Sequence, residues 1–440
     1  MGAISLPTTA PSSTPRPGAG IDYELFLDCV HCGLCTSACP TYLELGTEMD
    51  SPRGRIYLMR GVVDGRLPLD DAVRGHLELC LDCRACESAC PSGVQYGALI
   101  EPFRVDLEKR GEGSTSLAAW QRFMLFQVMT SARLARWALA PARLLQMLRL
   151  DRLVAKVLPR RLRGMQEMLP KLTRYRRLPE RLPAEGPRRA KVAFMTGCVN
   201  DAMFNGTNWA TAKVLQKNGC DVWIPRAQAC CGALDYHAGR AAPARRYARK
   251  NCTTFLNEEV DAIIVNVAGC GALLKEYDHL LAGTPDAEAG RKFKAKVKDI
   301  SEFLMELGPI RPTHALRLRA TYHDACHLCH AQRIRQAPRD LLALIPGLQM
   351  QPLAESEVCC GAAGSYNLTE PEMAERLGAR KTRHILNTRP DAVFTANAGC
   401  LLQIAKHLRA EDSSIWVAHP VEALWASYSG IRTGELSRQR

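Results

Sequence analysis

Three things are missing from this 440-residue chain, and each closes off a class of function. No stretch offers the roughly 18 to 20 uninterrupted apolar residues of a membrane-spanning helix, so no span is expected. The opening residues, MGAISLPTTAPSSTPRPGAG, hold no cationic segment followed by an apolar one. They read as a disordered Pro/Ser/Thr tail over residues 1–20 rather than an export signal, and Leu6 stands where a myristoylation signal needs Ser or Thr. No G-x-G-x-x-G follows a strand-like run, so no dinucleotide site is expected on this chain. Without an export signal the cysteines are expected in a reducing compartment, as thiols or metal ligands rather than disulfides.

Thiols are what the chain has in excess. It carries 19 cysteines, an odd number, clustered in C-x-x-C-x-x-C runs and Cys-Cys pairs, which are metal-site patterns. Cationic charge is the second excess: 58 Lys plus Arg against 45 Asp plus Glu give a net +13. Residues 104–189 hold 20 of those cations and 7 of the anions, so this one segment accounts for the whole surplus. Apolar residues recur there at helical spacing between arginines, with breaks at Pro141, Pro159 and Pro170. The segment reads as short amphipathic helices. Either they pack on the protein with a solvated cationic face, or that face meets anionic lipid or an acidic partner subunit. Nucleic acid is not expected, because no binding motif accompanies the charge.

Two runs near the start share one pattern. CVHCGLCTSACP places Cys29, Cys32, Cys35 and Cys39 before Pro40, and CLDCRACESACP places Cys80, Cys83, Cys86 and Cys90 before Pro91. Both fit C-x2-C-x2-C-x3-C-P, the two-cluster ferredoxin run for [4Fe–4S]. Three closely spaced thiolates can each hold one iron of a cubane, while the fourth, displaced past a turn, suits the other cluster. The expected ligand sets are therefore Cys29, Cys32, Cys35 and Cys90 for cluster one, and Cys80, Cys83, Cys86 and Cys39 for cluster two. Structural zinc also uses C-x-x-C pairs, but not usually three in a row with a trailing Cys-Pro, twice. A pair of one-electron centres in one small domain is a relay rather than a catalytic centre. The intervening SPRGRIYLMRGVVDG reads as a helix, similar to the all-helical ferredoxin domain of succinate dehydrogenase-type proteins.

From about Arg189 strand-like runs alternate with helical ones, which implies α/β units. This half is an internal repeat. Cys198, the Cys230-Cys231-Gly232 triplet and Cys270 match Cys326, Cys359-Cys360-Gly361 and Cys400. The first interval is 32 residues in one copy and 33 in the other, and the second is 39 and 40. Strand ends gather at one face of an α/β sheet, so each foursome can converge into a soft all-thiolate site for Fe–S or zinc. Cys220 and Cys252 fall outside the pattern and read as ordinary buried cysteines.

The stretch HDACHLCH contains Cys326-His-Leu-Cys329-His330, the C-x-x-C-H of haem attachment. Cys326, however, is the counterpart of Cys198, and the first copy has Asp201 where Cys329 stands. Haem is therefore not expected, and Cys329 and His330 are incidental or supporting. His31, His76, His237, His323, His327 and His330 are read as structural.

The Cys-Cys-Gly halves resemble the cysteine-rich "CCG" domain of heterodisulfide reductases and of flavin-linked dehydrogenase subunits. They depart from the reductase form in carrying Leu273 and Gln403 where it has the second cysteine of a C-x-x-C, which argues against a five-thiolate non-cubane cluster. Taken in order, "CVHCGLCTSACPTYLELGTEMDSPRGRIYLMR", "CLDCRACESACPSGVQYG", "ACCGALDYH", "AGCGALLKEY" and "CCGAAGSY" look like the iron–sulfur subunits of bacterial glycolate oxidase (glycolate dehydrogenase) over about residues 21 to 430. Iron–sulfur subunits of anaerobic glycerol-3-phosphate dehydrogenase and of L-lactate utilisation share the architecture.

The resemblance implies two [4Fe–4S] clusters here, with a further Fe–S cluster or zinc in the CCG halves, and FAD only in partner subunits that oxidise glycolate to glyoxylate. The chain would pass electrons to a membrane acceptor such as quinone. It would be cytoplasmic, peripheral on the inner face of the membrane through the basic linker, and inactive alone. The rival readings are a self-contained thiol/disulfide reductase at the Cys-Cys-Gly face and a zinc-bound interaction module. The expected fold is a multidomain α+β protein. A helical ferredoxin-like domain (21–103) and the basic linker (104–189) precede two pseudo-repeated α/β CCG lobes (190–313 and 314–430), with a tail at 431–440.

Overall fold

The computed structural model describes residues 16–112, 117–150, 154, 166, 168–172 and 175–431. Most of the two expected tails, and the middle of the basic linker with its break at Pro159, lie outside the described residues.

The first domain is built from helices whose ends are written locally. Ser51 caps the helix Pro52–Val63 by accepting from the Gly54 amide, and Pro52 fits the first turn. Asp70 caps Asp71–Glu78 in the same way. Together with Gly97–Lys109 these helices bury Phe26, Ile56, Met59, Leu77, Leu99 and Phe103 in one small core. Among the described residues this domain contains no strand. The segment SPRGRIYLMRGVVDG is helical, as its pattern predicts.

The lobes are two copies of one topology. In the first, β2 (Ala190–Met195), β3 (Cys220–Trp223), β4 (Ala262–Val265) and β5 (Val297–Asp299) run parallel in the order β3-β2-β4-β5. In the second, β6 (Leu318–Tyr322), β7 (Leu348–Gln351), β8 (Ala392–Phe394) and β9 (Trp416–Ala418) run parallel in the matching order β7-β6-β8-β9. One strand lies outside the repeat. Residues of the expected linker form β1 (Arg181–Leu182), which pairs antiparallel with β3 and extends the first sheet. The two-residue pairing of so short a strand leaves no period in the sequence to read.

Ala-Ile-Ile-Val in β4 is buried at every position, as expected where helices cover both faces of a parallel sheet. The lobes meet helix to helix about a pseudo-twofold. The helix after β2 (Asn205–Lys217) packs on the one after β9 (Pro420–Ser429), and the one after β5 (Ile300–Leu307) on the one after β6 (Ala337–Ala343). Val192, Phe194 and Ile264 of one lobe and Tyr322, Phe394 and Trp416 of the other therefore belong to a single core. The Ala268 amide donates to the Ala396 carbonyl at 3.0 Å across the boundary. This places the open ends of both sheets, where the strand order reverses, beside each other. Phe194→Ala is expected to cost about 3–5 kcal/mol and to shift the denaturant midpoint of both lobes together. Separate transitions would contradict a shared core.

Candidate metal centres

The two ferredoxin-type runs adopt the same backbone. The residues two positions past each first cysteine, His31 and Asp82, have φ of 56° and 54°, and those four positions past, Gly33 and Arg84, have 87° and 60°. Left-handed residues at alternate positions bend the chain sharply, a turn conformation of the kind that can present amides to an anionic group. At non-glycine positions this conformation is strained and needs the surroundings to hold it. The terminal cysteines match too: Cys39 and Cys90 sit at φ/ψ of −85°/115° and −86°/116°. That is the extended region forced on a residue before proline, and it turns the fourth thiol away from its own run.

Two hollows result. One, about 410 Å³ including its open mouth, is lined by Cys29, Cys32, Cys35 and Cys90, with Cys86 on its wall. The second, about 310 Å³, is lined by Cys39, Cys80, Cys83 and Cys86. Each hollow gathers several thiols around one space, a soft donor set suited to an iron–sulfur group. Burial pushes the Cys83 and Cys86 thiols well above their ordinary range, with neighbouring cysteines adding to it. Cys29 and Cys35 are also raised, mainly by burial. A cation in each hollow would displace those protons.

The helix beginning at Ser51 serves both hollows. Pro52 touches each of them. Arg53 reaches outward, donating to the His31 carbonyl at 2.8 Å while paired with Glu48 at 2.6 Å. Arg55 points inward and is fully buried, its Nη1 3.9 Å from Cys39 Sγ and its Nε 2.7 Å from the His76 carbonyl. Asp50 balances it at 3.5 Å and also meets His76 at 2.8 Å. Gly54 is required between them, since a Cβ there would collide with the Glu48 carbonyl. Tyr96 adds an O–H···S contact of 3.5 Å to Cys80.

Each lobe gathers its four cysteines at the open sheet end. Cys198 starts the short helix Cys198–Met203 that directly follows β2, and Cys270 lies in the helix after β4 (Ala268–Leu274), with Cys230-Cys231 on the loop after β3. Cys198 and Cys230 sulfurs are 3.4 Å apart. In the second lobe the Cys326 and Cys359 sulfurs are 4.0 Å apart, and Cys400 lies in the helix after β8 (Ala398–Ala410). The glycine of each triplet is needed: Gly361 has φ of 86°, and a Cβ there would lie 2.9 Å from the Ala374 carbonyl. Cys231 is held well below the usual thiol range because Cys230 and Cys270 both hydrogen-bond to it. Cys400 is held down by Cys360 and also by His323.

His323 is the residue that sequence reasoning passed over as structural. Its Nδ1 pairs with the Ser356 carbonyl at 2.9 Å, its Nε2 is buried without a hydrogen-bond partner, and a ring nitrogen lies within 4.8 Å of the Cys360 and Cys400 sulfurs. A carbonyl on one nitrogen leaves the other free as a ligand. The only signal was its position three residues before Cys326, and the other copy, with Met195 there, hid it. The remaining residues fall elsewhere. Cys220 and Cys252 are buried in the first lobe's cores, and Cys329 contacts the Cys326 carbonyl. His330 has both nitrogens engaged, by Ser88 and the Glu357 carbonyl. Leu273 is core, and Gln403 is buried, donating to the Ala374 carbonyl at 2.8 Å.

The second run also docks the ferredoxin domain. Cys83 shares an apolar cluster with Cys359, Tyr366 and Leu377, with Cys326 packed against it. Tyr366 donates to the Leu79 carbonyl at 2.7 Å, and His327 meets the Asp82 carbonyl at 3.0 Å. Beside it Asp82, Glu101 and His237 come together, but Arg84 already fills that cluster, 2.7 Å from Asp82 and 2.9 Å from Glu101.

Comparison with known proteins bears on these centres. Residues 26–94 match the family described as a 4Fe-4S dicluster domain, and residues 192–275 and 320–405 match the Cysteine-rich domain, CCG. The "Probable glycolate oxidase iron-sulfur subunit" of Bacillus subtilis (strain 168) is 40% identical over 406 residues, 90% of this chain and 91% of that one. The "Glycolate oxidase iron-sulfur subunit" of Escherichia coli (strain K12) is 33% identical over 394 residues, 86% and 89% of the two chains. The chain belongs to the family of glycolate oxidase iron–sulfur subunits. "Lactate utilization protein A" of Halalkalibacterium halodurans is 31% identical, covering 96% of itself but 53% of this chain. Membership in the glycolate oxidase iron–sulfur family agrees with the architecture the motifs imply: a helical Fe–S domain followed by two CCG lobes. No helix among the described residues is long and apolar enough to cross a membrane.

His237 gives the junction a pH dependence. Burial opposes its charge, but hydrogen bonds to Asp82 and Glu101 outweigh that and push its pKa from 6.5 to about 10. A folded pKa above the unfolded one gives stability that is complete below about pH 6.5 and lost as pH rises through about 10. The thermal midpoint is expected to fall across that window, and less so in His237→Gln. An identical slope in the variant would remove His237 as the cause.

Proposed function

We propose that this chain is the electron-transfer subunit of a flavin-dependent glycolate dehydrogenase complex. FAD in partner subunits takes electrons from glycolate as it becomes glyoxylate, and this chain carries them on toward a membrane acceptor such as quinone. Cys29, Cys32, Cys35 and Cys90 hold one [4Fe–4S] cluster, and Cys80, Cys83, Cys86 and Cys39 hold the other. Each cluster, when bound, accepts and releases one electron. The observation that carries the reading is the pair of thiol-lined hollows sharing Cys86, one reaching the exposed Cys32 and the other lined by Leu81 and Cys83, which pack on the second lobe.

The residues around the hollows perform the supporting work. Arg55 places a buried cation beside the inner site, which favours the reduced, more negative state. Leu81, which lines it, belongs to a buried apolar cluster with Tyr366 and Leu377 of the second lobe. The CCG foursomes suit one metal or a further Fe–S cluster. A zinc–sulfur bond of about 2.3 Å in a tetrahedron puts sulfurs roughly 3.8 Å apart, close to the 3.4 and 4.0 Å seen. The glycolate assignment is preferred over lactate because the glycolate relatives span about nine-tenths of this chain and the lactate relative about half.

Anaerobically purified protein is expected to yield two reducible [4Fe–4S] signals by electron paramagnetic resonance, with matching iron and sulfide. Cys83→Ser should perturb one signal and spare the other. A single signal in the wild type, or glycolate oxidation by the isolated chain with an artificial acceptor, would overturn the assignment. Arg55→Met is expected to lower the potential of the inner cluster by at least tens of millivolts in a redox titration, leaving the outer one in place.

A further inference from the structure

The segment joining the ferredoxin domain to the first lobe has two apolar sides. Its helical pieces, Ala119–Phe123, Met124–Val128, Ala132–Ala138 and Ala140–Met147, pack in succession on one another. Their inner side is used: Phe126 and Val128 are buried, and Ala135 and Leu139 form a small core with Ala202 of the first lobe. Their outer side is apolar as well. Trp120 and Phe123, Leu134 and Trp137, and Leu144 and Met147 are each spaced i, i+3, which puts each pair on one edge of its helix. Trp137 is 73% exposed, Met147 74% and Phe123 59%. Eight of the fifteen exposed large hydrophobic side chains among the described residues lie between Trp120 and Leu150. A soluble surface scatters such residues and seldom gathers them.

The charge on this stretch has one sign. Residues 113–150 contain five arginines and no acidic residue. Three of the five are engaged by other groups of the protein: Arg136 pairs with Asp201, Arg143 donates to the Ala202 carbonyl, and Arg122 meets Glu108. Arg133 and Arg149 remain exposed beside the apolar edge. A protein interface fixes its register with charges of both signs, and none of the second sign is present here. Tryptophan, leucine and methionine with exposed arginine at the margin instead match the boundary between lipid headgroups and acyl chains.

We propose that these helices lie flat on an anionic bilayer, with Phe123, Trp137 and Met147 inserted among the acyl chains. The inference deepens the membrane side of the function given above, resting on that reading for its context only. It replaces attraction through a cationic linker with apolar insertion, because most arginines in this part of the linker are occupied within the fold.

The test uses the full chain, purified with its iron, and vesicles of phosphatidylglycerol mixed with phosphatidylcholine. The protein is expected to sediment with them and to keep more than about half of its binding at 1 M salt, where the screening length is about 3 Å. Its tryptophan emission should shift to the blue on binding. Trp137→Ser combined with Met147→Ser should weaken partitioning roughly tenfold or more, with iron content and absorption spectrum unchanged. Unchanged binding by that variant, binding abolished by salt, or no binding by the wild type would each overturn the proposal. If the wild type ignores vesicles and the variant instead fails to join its flavin-binding subunits, the face is a protein interface and the lipid assignment is wrong. None of these outcomes alters the resonance signals, so failure here and failure of the cluster assignment are separate.

Discussion

A buried thiol must keep its proton or face a compensating cation. Most of the sixteen cysteines in the repeated motifs are buried or half-buried, and they lie close to one another. Proximity makes this constraint severe, because each thiolate raises the cost of the next. Side-chain chemistry relieves part of it through the Arg55 guanidinium, the Tyr96 hydroxyl and the amides of the left-handed turns. The rest calls for a compensating cation, and the thiols stand on short loops at helix starts and strand ends.

The second lobe copies the first in strand order but not in chemistry. Facing helices pack on one another across the pseudo-twofold, so the lobes share one core cluster in addition to their own. The copies diverge at the cysteine end, where His323 stands in one and Met195 in the other. A repeated fold with unequal donor sets gives two sites of different softness within one frame. The second lobe packs Cys359, Tyr366 and Leu377 against Leu81 and Cys83, which line the inner hollow.

Much of this was legible because cysteine spacing is a geometric statement. Two Cys-Pro runs and two intervals agreeing within one residue fix loop, turn and strand-end positions without knowledge of packing. Three strands of each lobe were readable from their apolar runs, whereas the three-residue edge strands β5 and β9 were not. What escaped had no period or no partner in the sequence. β1 is two residues long and exists only through pairing with β3. His323 has no counterpart in the first copy. The opposite directions of Arg53 and Arg55 depend on Gly54 sitting against the Glu48 carbonyl. The outward face of Trp137 and Met147 was hidden because burial, not hydropathy, decides which side of an apolar helix looks inward.

The loop from Cys80 to Cys86 has a double duty. It walls the inner hollow, and through Leu81, Asp82 and Cys83 it forms the contact with His237 of one lobe and with His327 and Cys359 of the other. Its two strained residues, Asp82 and Arg84, are held in place from both sides. Damage to the inner centre therefore cannot remain local: a relaxed loop withdraws the clasp that joins three domains. Oxidative loss of one cofactor would register as a change in the protein's shape and in its resistance to proteolysis.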